Sequence, residues 1–386
     1  MSVELKMVVN RKRKQDEQAD LEKEQILNPE KVLRKKKKKR KRMALIAAGT
    51  VLVLAGCVIG GLQIVRAMGR SRLLAAAEEA QPMLEESFGE KVPEEEQEDE
   101  WKAGWIKYGD NIYEYNEEIM TFLIMGIDKI GDVREVAEGT NGGQADALFL
   151  VVMNPKDRTI KIVGINRNTM TDIDFYNETG AYVTTAKAQL AIQHGFGNGM
   201  EESCEYQKKA VQKLFYNLPI HGYAAVNMSA IATINDAVGG VDVKVMEDMT
   251  SVDESLVEGQ DVHLMGESAF WYVDYRNMEQ FGSADMRLDR QKQYLKALVG
   301  TATGAAKKDL SVVTNLYQAV MPQMVTDITL DEVAYLAPIV VDYHFGENSF
   351  YTLSGETIMG EKIEEFYPDE EKLCEMILEI FYEKVE

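Results

Sequence analysis

Two carboxylates in this sequence stand where apolar runs begin or end. Asp128 directly follows the run 120–127 (MTFLIMGI), and Asp146 opens the run 147–153 (ALFLVVM) after the glycine-bearing loop 141–144 (NGGQ). Both fall at a sheet edge where loops converge. Acidic oxygens, supplemented by water and substrate phosphates, are what Mg²⁺ requires, so the pair is a candidate divalent-cation site. Taken alone, each is also explained as the cap of a turn. Arg167 follows a third run in 165–169 (INRNT), Arg276 closes 272–276 (YVDYR), and Arg287, Arg290 and Gln291 lie in 285–291 (DMRLDRQ). Arg167 thus sits at a strand's carboxyl end, where α/β folds bind ligands, and Arg287 and Gln291, four apart, share a helix face. Arginines gathered by a fold form an anion site suited to bidentate phosphate contacts; taken singly, each is also a surface ion pair.

The elements that position these residues follow from periodicity. Residues 120–127, 147–153 and 159–165 have the length and apolar pattern of strands, with Asn154-Pro155-Lys156-Asp157 as the turn between the last two. Their long apolar runs suit central strands covered on both faces. Beyond them the pattern predicts helices at 183–194, 204–218, 229–237, 267–273, 286–303, 310–321, 331–340 and 369–382, and strands at 223–228, 241–245 and 349–353. This alternation predicts an α/β fold in which a mixed central sheet carries helices on both faces.

Other chemistries are excluded by what is missing. There is no Walker A loop, no dinucleotide glycine fingerprint and no His-Glu-x-x-His. The four histidines, His194, His221, His263 and His344, are not at metal-ligand spacing, which argues against a zinc hydrolase. The segment 266–270 (GESAF) lacks the closing glycine of a nucleophile elbow and has no strand before it.

Charge divides the 386-residue chain. The net charge is −21, with 45% hydrophobic residues, enough for a sizeable core. Residues 1–42 nevertheless hold 16 basic and 7 acidic side chains, and the remainder holds 27 and 57. Between the two lies 43–65 (MALIAAGTVLVLAGCVIGGLQIV), without a charge; at roughly 1.5 Å per residue such a helix crosses the roughly 30 Å hydrocarbon core. Nine consecutive basic residues, 34–42, precede it, which places the N-terminus in the cytoplasm and the rest outside. The leader is too long for a cleaved signal peptide, and Cys57 is read as membrane-buried. Cys204 and Cys374 remain as either one disulfide or two buried thiols. The expected organisation is a basic cytoplasmic tail (1–42), a transmembrane helix (43–66), an acidic extracellular stalk (67–115), a folded domain (116–365) and a C-terminal helix (366–386). The acidic folded part repels nucleic acid, so no nucleic-acid partner is expected, and the basic run suits anionic membrane lipids.

These residues in this order, behind a basic tail and one spanning helix, resemble the LytR-CpsA-Psr family. The resemblance is carried by FLIMGID (122–128), ADALFLVVMNP (145–155), VGINRNTM (163–170), 218–245 with its GGVDV ending, 264–276, 287–291 and VTDIT (325–329). It implies an α/β/α sandwich at the bacterial plasma membrane that takes a glycopolymer from a polyprenyl-pyrophosphate carrier and joins it to peptidoglycan through a phosphodiester. It further implies Asp128 and Asp146 around Mg²⁺ or Mn²⁺, Arg167, Arg276 and Arg287 as catalytic residues, and these three with Arg290 and Gln291 around the pyrophosphate, with the lipid in an apolar cleft. The sequence departs from the family pattern in having Gln144 where Arg is common, Asn168 where Asp is usual and Asp274 where Arg is usual. The last reverses a charge, which weakens pyrophosphate binding unless the side chain turns away or joins the metal. A second reading is therefore a non-catalytic or regulatory envelope protein that binds polyprenyl lipid or wall polymer.

Overall fold

The structure is a computed structural model that describes residues 68–73, 82–84, 88, 102, 104–136, 141–277 and 279–385. The chain divides into two compact units, Met1–Ile64 and Val65–Glu386, and the first lies outside the described residues. So do the expected basic tail, the expected transmembrane helix and Cys57. Among the described residues, no helix is long and apolar enough to cross a membrane.

In chain order the elements begin with strands β1 (Ile106–Tyr108), β2 (Asn111–Tyr115), β3 (Met120–Ile127), β4 (Ala145–Asn154), β5 (Thr159–Ile165), β6 (Met170–Tyr176) and β7 (Tyr182–Gln189). A 3₁₀ helix (Leu190–Phe196) leads to α1 (Glu201–Leu214), β8 (Gly222–Asn227), α2 (Ala230–Ala237), β9 (Val241–Lys244) and β10 (Asp261–Leu264). Three helices follow: α3 (Glu267–Asp274), α4 (Ser283–Ala306) and α5 (Ser311–Val320). The chain closes with β11 (Met324–Thr326), α6 (Leu330–Asp342), β12 (Phe350–Thr352), β13 (Gly355–Met359), β14 (Glu364–Pro368), α7 (Glu370–Phe381) and β15 (Tyr382–Lys384).

Six strands form the central sheet in the order β11-β8-β3-β4-β5-β12. β3 runs parallel to β8 and antiparallel to β4, so the sheet is mixed. Strand alternation sorts the side chains onto two faces. Leu123, Met125, Leu148, Leu150 and Val163 join one core with α1 and α7, through residues such as Val211, Ile377 and Phe381. Phe122, Phe149 and Ile162 join a second core with Leu288 of α4. Helices therefore cover both faces, as the apolar runs require.

Three local expectations are corrected. Residues 183–194 are not a helix: the β-branched Thr184 and Thr185 pair with β6 in a two-stranded hairpin, and only Leu190–Phe196 turns helically. Residues 106–115, assigned by composition to the stalk, form β1 and β2, and β2 pairs with β15. The C-terminal helix is not an appendage, since Leu373, Cys374, Ile377 and Phe381 are buried in the main core. Cys204 and Cys374 are two separate buried thiols.

Candidate active site

The mixed topology brings three chain segments to one end of the sheet. β3 and β5 both end there, and β4, antiparallel to each, begins there, with Ile127 opposite Ala145 and Leu148 opposite Ile165. Asp128, Asp146 and Arg167 are consequently neighbours although 18 and 21 positions separate them in sequence. The register shifts at this end: Gly126 pairs with Ala147 and Ile127 with Ala145, leaving Asp146 as the extra residue of a bulge. A bulge re-aims the side chain it carries. Gly126 makes room for it, because a Cβ there would stand 2.8 Å from Met228 Sδ and 3.0 Å from Ala147 Cβ.

Asp146 is held between two guanidiniums. Its Oδ2 accepts from Arg287 Nη1 at 2.9 Å, and its Oδ1 lies 3.1 Å from Arg167 Nε. The second contact lacks hydrogen-bond alignment, and Arg167 Nε is a buried donor without a hydrogen-bond partner among the described residues. Burial lowers the Arg167 pKa; Asp146 opposes this, while Arg287 and Arg276 add to it. Three cationic side chains thus share one field.

Asp128 is tied to the same group through the loop 141–144. Its Oδ1 accepts the Gln144 backbone N–H at 2.6 Å, while Gln144 Oε1 accepts from Arg167 Nη2. Gly143 permits that closure: its φ is +86°, and a Cβ would meet Asp128 Oδ1 at 2.8 Å. His194, buried with its Nδ1 3.0 Å from the Gly143 carbonyl, fixes the loop from behind. Burial, with Asp146 nearby, raises the Asp128 pKa against the lowering effect of the Gln144 amide.

Asp274, the charge reversal at the end of α3, is within electrostatic reach of the same groups. Burial raises its pKa, Arg287 lowers it, and Asp146 and Asp128 raise it further. It therefore shares the field of the other carboxylates. Arg276 is positioned by a residue with no sequence signal: Nη2 donates to Glu364 Oε2 at 2.9 Å and Nε to Ser283 Oγ at 2.9 Å. Glu364 also accepts from the Gly282 N–H at 2.8 Å and faces Asn168 Nδ2 at 3.5 Å. Arg276 and Glu364 lie 88 positions apart, on elements that periodicity did not connect.

Arg290 and Gln291, expected at the pyrophosphate, are directed elsewhere. Arg290 donates to the Tyr272 carbonyl at 3.0 Å and to that of Tyr275, pairs with Glu247, and is 1% exposed. Gln291 Nε2 donates to the Val273 carbonyl at 3.2 Å. The last carbonyls of a helix have no internal partners, and these two side chains satisfy the end of α3, which aims Asp274 and Arg276. They position the site from outside it.

The residues also bear on a cation. Three guanidiniums face the four carboxylates of Asp128, Asp146, Asp274 and Glu364, so a dianionic phosphate group meets no cationic surplus from the protein alone. Among the described residues, no group of three or more His, Cys, Asp or Glu side chains is gathered tightly enough to hold a metal by itself. Mg²⁺ takes one or two carboxylates and completes its shell with water and phosphate, and Asp128, with one oxygen accepting no hydrogen bond among the described residues, fits that demand. On the second sheet face, α6 contributes only Glu332 as a buried residue, and its apolar Tyr335, Leu336, Ile339 and Val340 are partly buried against the same core as Ile124 and Val151.

Comparison with known proteins places this geometry. The polyisoprenyl-teichoic acid–peptidoglycan teichoic acid transferase TagU of Bacillus anthracis is 28% identical over 215 residues, 56% of this chain and 62% of that protein. The corresponding TagV of Bacillus subtilis is 26% identical over 271 residues, 65% of this chain and 64% of that protein. The chain thus spans about three fifths of the length of the curated relatives it matches. The crystal structure of B. subtilis TagV superposes with a TM-score of 0.52 at 24% identity, covering 68% of this chain and 97% of that one, which shows the shared fold. The LytR_cpsA_psr family model matches residues 85–379, most of the chain, and the protein belongs to that family.

Proposed function

We propose that this protein is a membrane-anchored phosphotransferase, its catalytic domain outside a bacterial plasma membrane, that moves a glycopolymer from a polyprenyl-pyrophosphate carrier onto peptidoglycan. An acceptor hydroxyl attacks the phosphorus that bears the glycopolymer, the bond to the bridging pyrophosphate oxygen breaks, polyprenyl monophosphate leaves, and the hydroxyl proton passes to solvent. The product is a phosphodiester. The similarity to TagU and TagV, whose names state a transfer of teichoic acid to peptidoglycan, supports the reaction class.

The observation that carries the reading is the Arg167–Asp146–Arg287 arrangement with its unsatisfied Arg167 Nε. A buried donor without a partner is costly, and a pyrophosphate oxygen supplies the missing acceptor. Phosphoryl transfer depends on positioning and charge neutralisation more than on a protein nucleophile, and Arg167, Arg276 and Arg287 provide both. Asp128 and Asp146, with Asp274 beside them, would hold Mg²⁺ or Mn²⁺; when bound, the cation neutralises phosphate charge and turns the local balance positive. The half-closed apolar layer under α6 suits the polyprenyl chain. A hydrophobic membrane segment at 43–66 keeps the domain beside its lipid donor.

Native mass spectrometry of the full chain purified from a bacterial host tests the lipid and phosphate parts together. A copurifying polyprenyl phosphate or pyrophosphate, lost in Arg167→Ala, supports the reading. Absence of lipid in the wild-type protein contradicts it.

A further inference from the structure

A cavity of about 250 Å³ opens between the loop 141–144 and the 3₁₀ helix Leu190–Phe196. Asp128, Gln144, Asn141, Lys129 and Phe196 are among the residues lining it. Its inner wall is therefore part of the arginine and carboxylate site, because Gln144 accepts from Arg167 and donates its N–H to Asp128. Its outer wall continues as an aromatic ledge. Phe196 meets Phe175 edge-on at 5.1 Å between centroids and lies 6.4 Å from Tyr176. Tyr176 stacks on Tyr206 at 4.2 Å and 8°, and meets Tyr182 edge-on at 6.1 Å. Tyr182 is 58% exposed.

We propose that this cavity and the ledge beyond it form the acceptor subsite, seating a saccharide strand with one hydroxyl directed at the Asp128–Gln144 end. A pyranose ring presents C–H groups on its faces and hydroxyls around its rim. Aromatic faces, electron-rich at the centre, attract the C–H groups, and the amides of Asn141 and Gln144, the Asp128 carboxylate and the Lys129 ammonium donate to and accept from the hydroxyls. An alkyl chain has no use for four polar groups in so small a cavity. The ledge is held for this use: the Tyr206 hydroxyl donates to Glu202 at 3.1 Å, and that of Tyr182 is 2.9 Å from Thr185 Oγ1, which fixes both rings at their rims. The β6–β7 hairpin that carries Tyr176 and Tyr182 starts two residues after Asn168, so acceptor ledge and Arg167 grow from one turn. The acceptor role rests on the transferase reading, whereas saccharide binding does not.

The test uses the full chain in detergent and short soluble glycan-strand fragments of peptidoglycan, with maltoheptaose as the unrelated saccharide. Binding is followed by saturation-transfer NMR and titration calorimetry without any donor present. The wild-type protein binds the glycan fragments in preference to maltoheptaose, and Tyr182→Ala and Tyr206→Ala each weaken binding by about tenfold. In transfer assays the same variants raise the acceptor KM by a similar factor while the donor KM holds. Tyr113→Ala, on β2 of the separate three-stranded sheet, changes neither. Tyr182 is exposed enough that its variant folds even if Tyr206→Ala does not. Binding unaltered in Tyr182→Ala, or no glycan binding by the wild-type protein, overturns the assignment. Failure to cleave a lipid pyrophosphate would instead sink the transferase reading and leave the saccharide result standing.

Discussion

Arg287 reaches Asp146 across 141 positions of sequence, Nη1 to Oδ2 at 2.9 Å, and so fastens the N-terminal part of α4 to the bulge at the start of β4. That contact joins a structural and a chemical role, because the same guanidinium favours the ionised form of Asp274 against its burial. Arg287→Ala is expected to lower turnover by about 10²–10³-fold and to cost about 3 kcal/mol of stability by leaving Asp146 half-paired in a buried setting. Single-turnover kinetics and urea denaturation check the two effects separately.

Arg290 provides the contrast. Its donors go to carbonyls at the end of α3 and to Glu247, and burial holds its pKa down to about 10. Arg290→Gln should lower the melting temperature by several degrees, yet the donor KM of the protein that remains folded should stay within about threefold of wild type. A donor KM raised as much as in Arg167→Ala would show Arg290 at the phosphate after all. The comparison requires thermal denaturation and initial rates on the same preparations.

Gly143 sets the loop that joins Asp128 to Arg167. Alanine there meets both a positive φ and a close Asp128 oxygen, so Gly143→Ala is expected to cost about 1–3 kcal/mol and to reduce transfer by at least about tenfold. Full activity in this variant would mean that the Gln144 bridge is dispensable.

Stability should depend on pH through two buried histidines. Burial pushes His194 and His221 down to about 4 from an ordinary 6.5. Between those values the unfolded chain binds the extra protons, so the stabilisation is complete above about pH 6.5 and is lost as pH falls towards 4. Asp327 acts in the opposite sense: burial pushes it up to about 6 from 3.8, so its contribution is present at low pH and is lost as pH rises through 6. His221→Gln should flatten the loss of melting temperature between pH 6.5 and 4.5, and Asp327→Asn should steepen it while raising stability at pH 7. Calorimetric scans across that range supply the comparison.

Much of this arrangement was legible in the sequence. Apolar runs ending at Ile127 and Ile165 placed Asp128 and Arg167 at one sheet edge, and the carboxyl-end rule for α/β folds did the rest. The position of Asp146 inside a bulge was not legible, because pairing register depends on the partner strand. Glu364 was invisible for the same reason: nothing local marks a strand residue that reaches an arginine 88 positions away. Arg290 and Gln291 were placed on the correct helix, but helix phase alone does not distinguish a side chain facing the ligand from one facing the end of the neighbouring helix. The hairpin at 170–189 escaped because alanine and lysine in 186–188 blur the strand signal of Val183, Thr184 and Thr185.

The most direct test of the account is a transfer assay with the full chain, a polyprenyl-pyrophosphate-linked glycopolymer labelled in the polymer, peptidoglycan and Mg²⁺. The account predicts label fixed to peptidoglycan through a phosphodiester, released polyprenyl monophosphate in equal amount, and loss of both with Asp146→Asn or with chelator. Bound lipid that stays intact under Mg²⁺ and Mn²⁺ with acceptor present would contradict it, and would leave a protein that holds the carrier without performing the transfer.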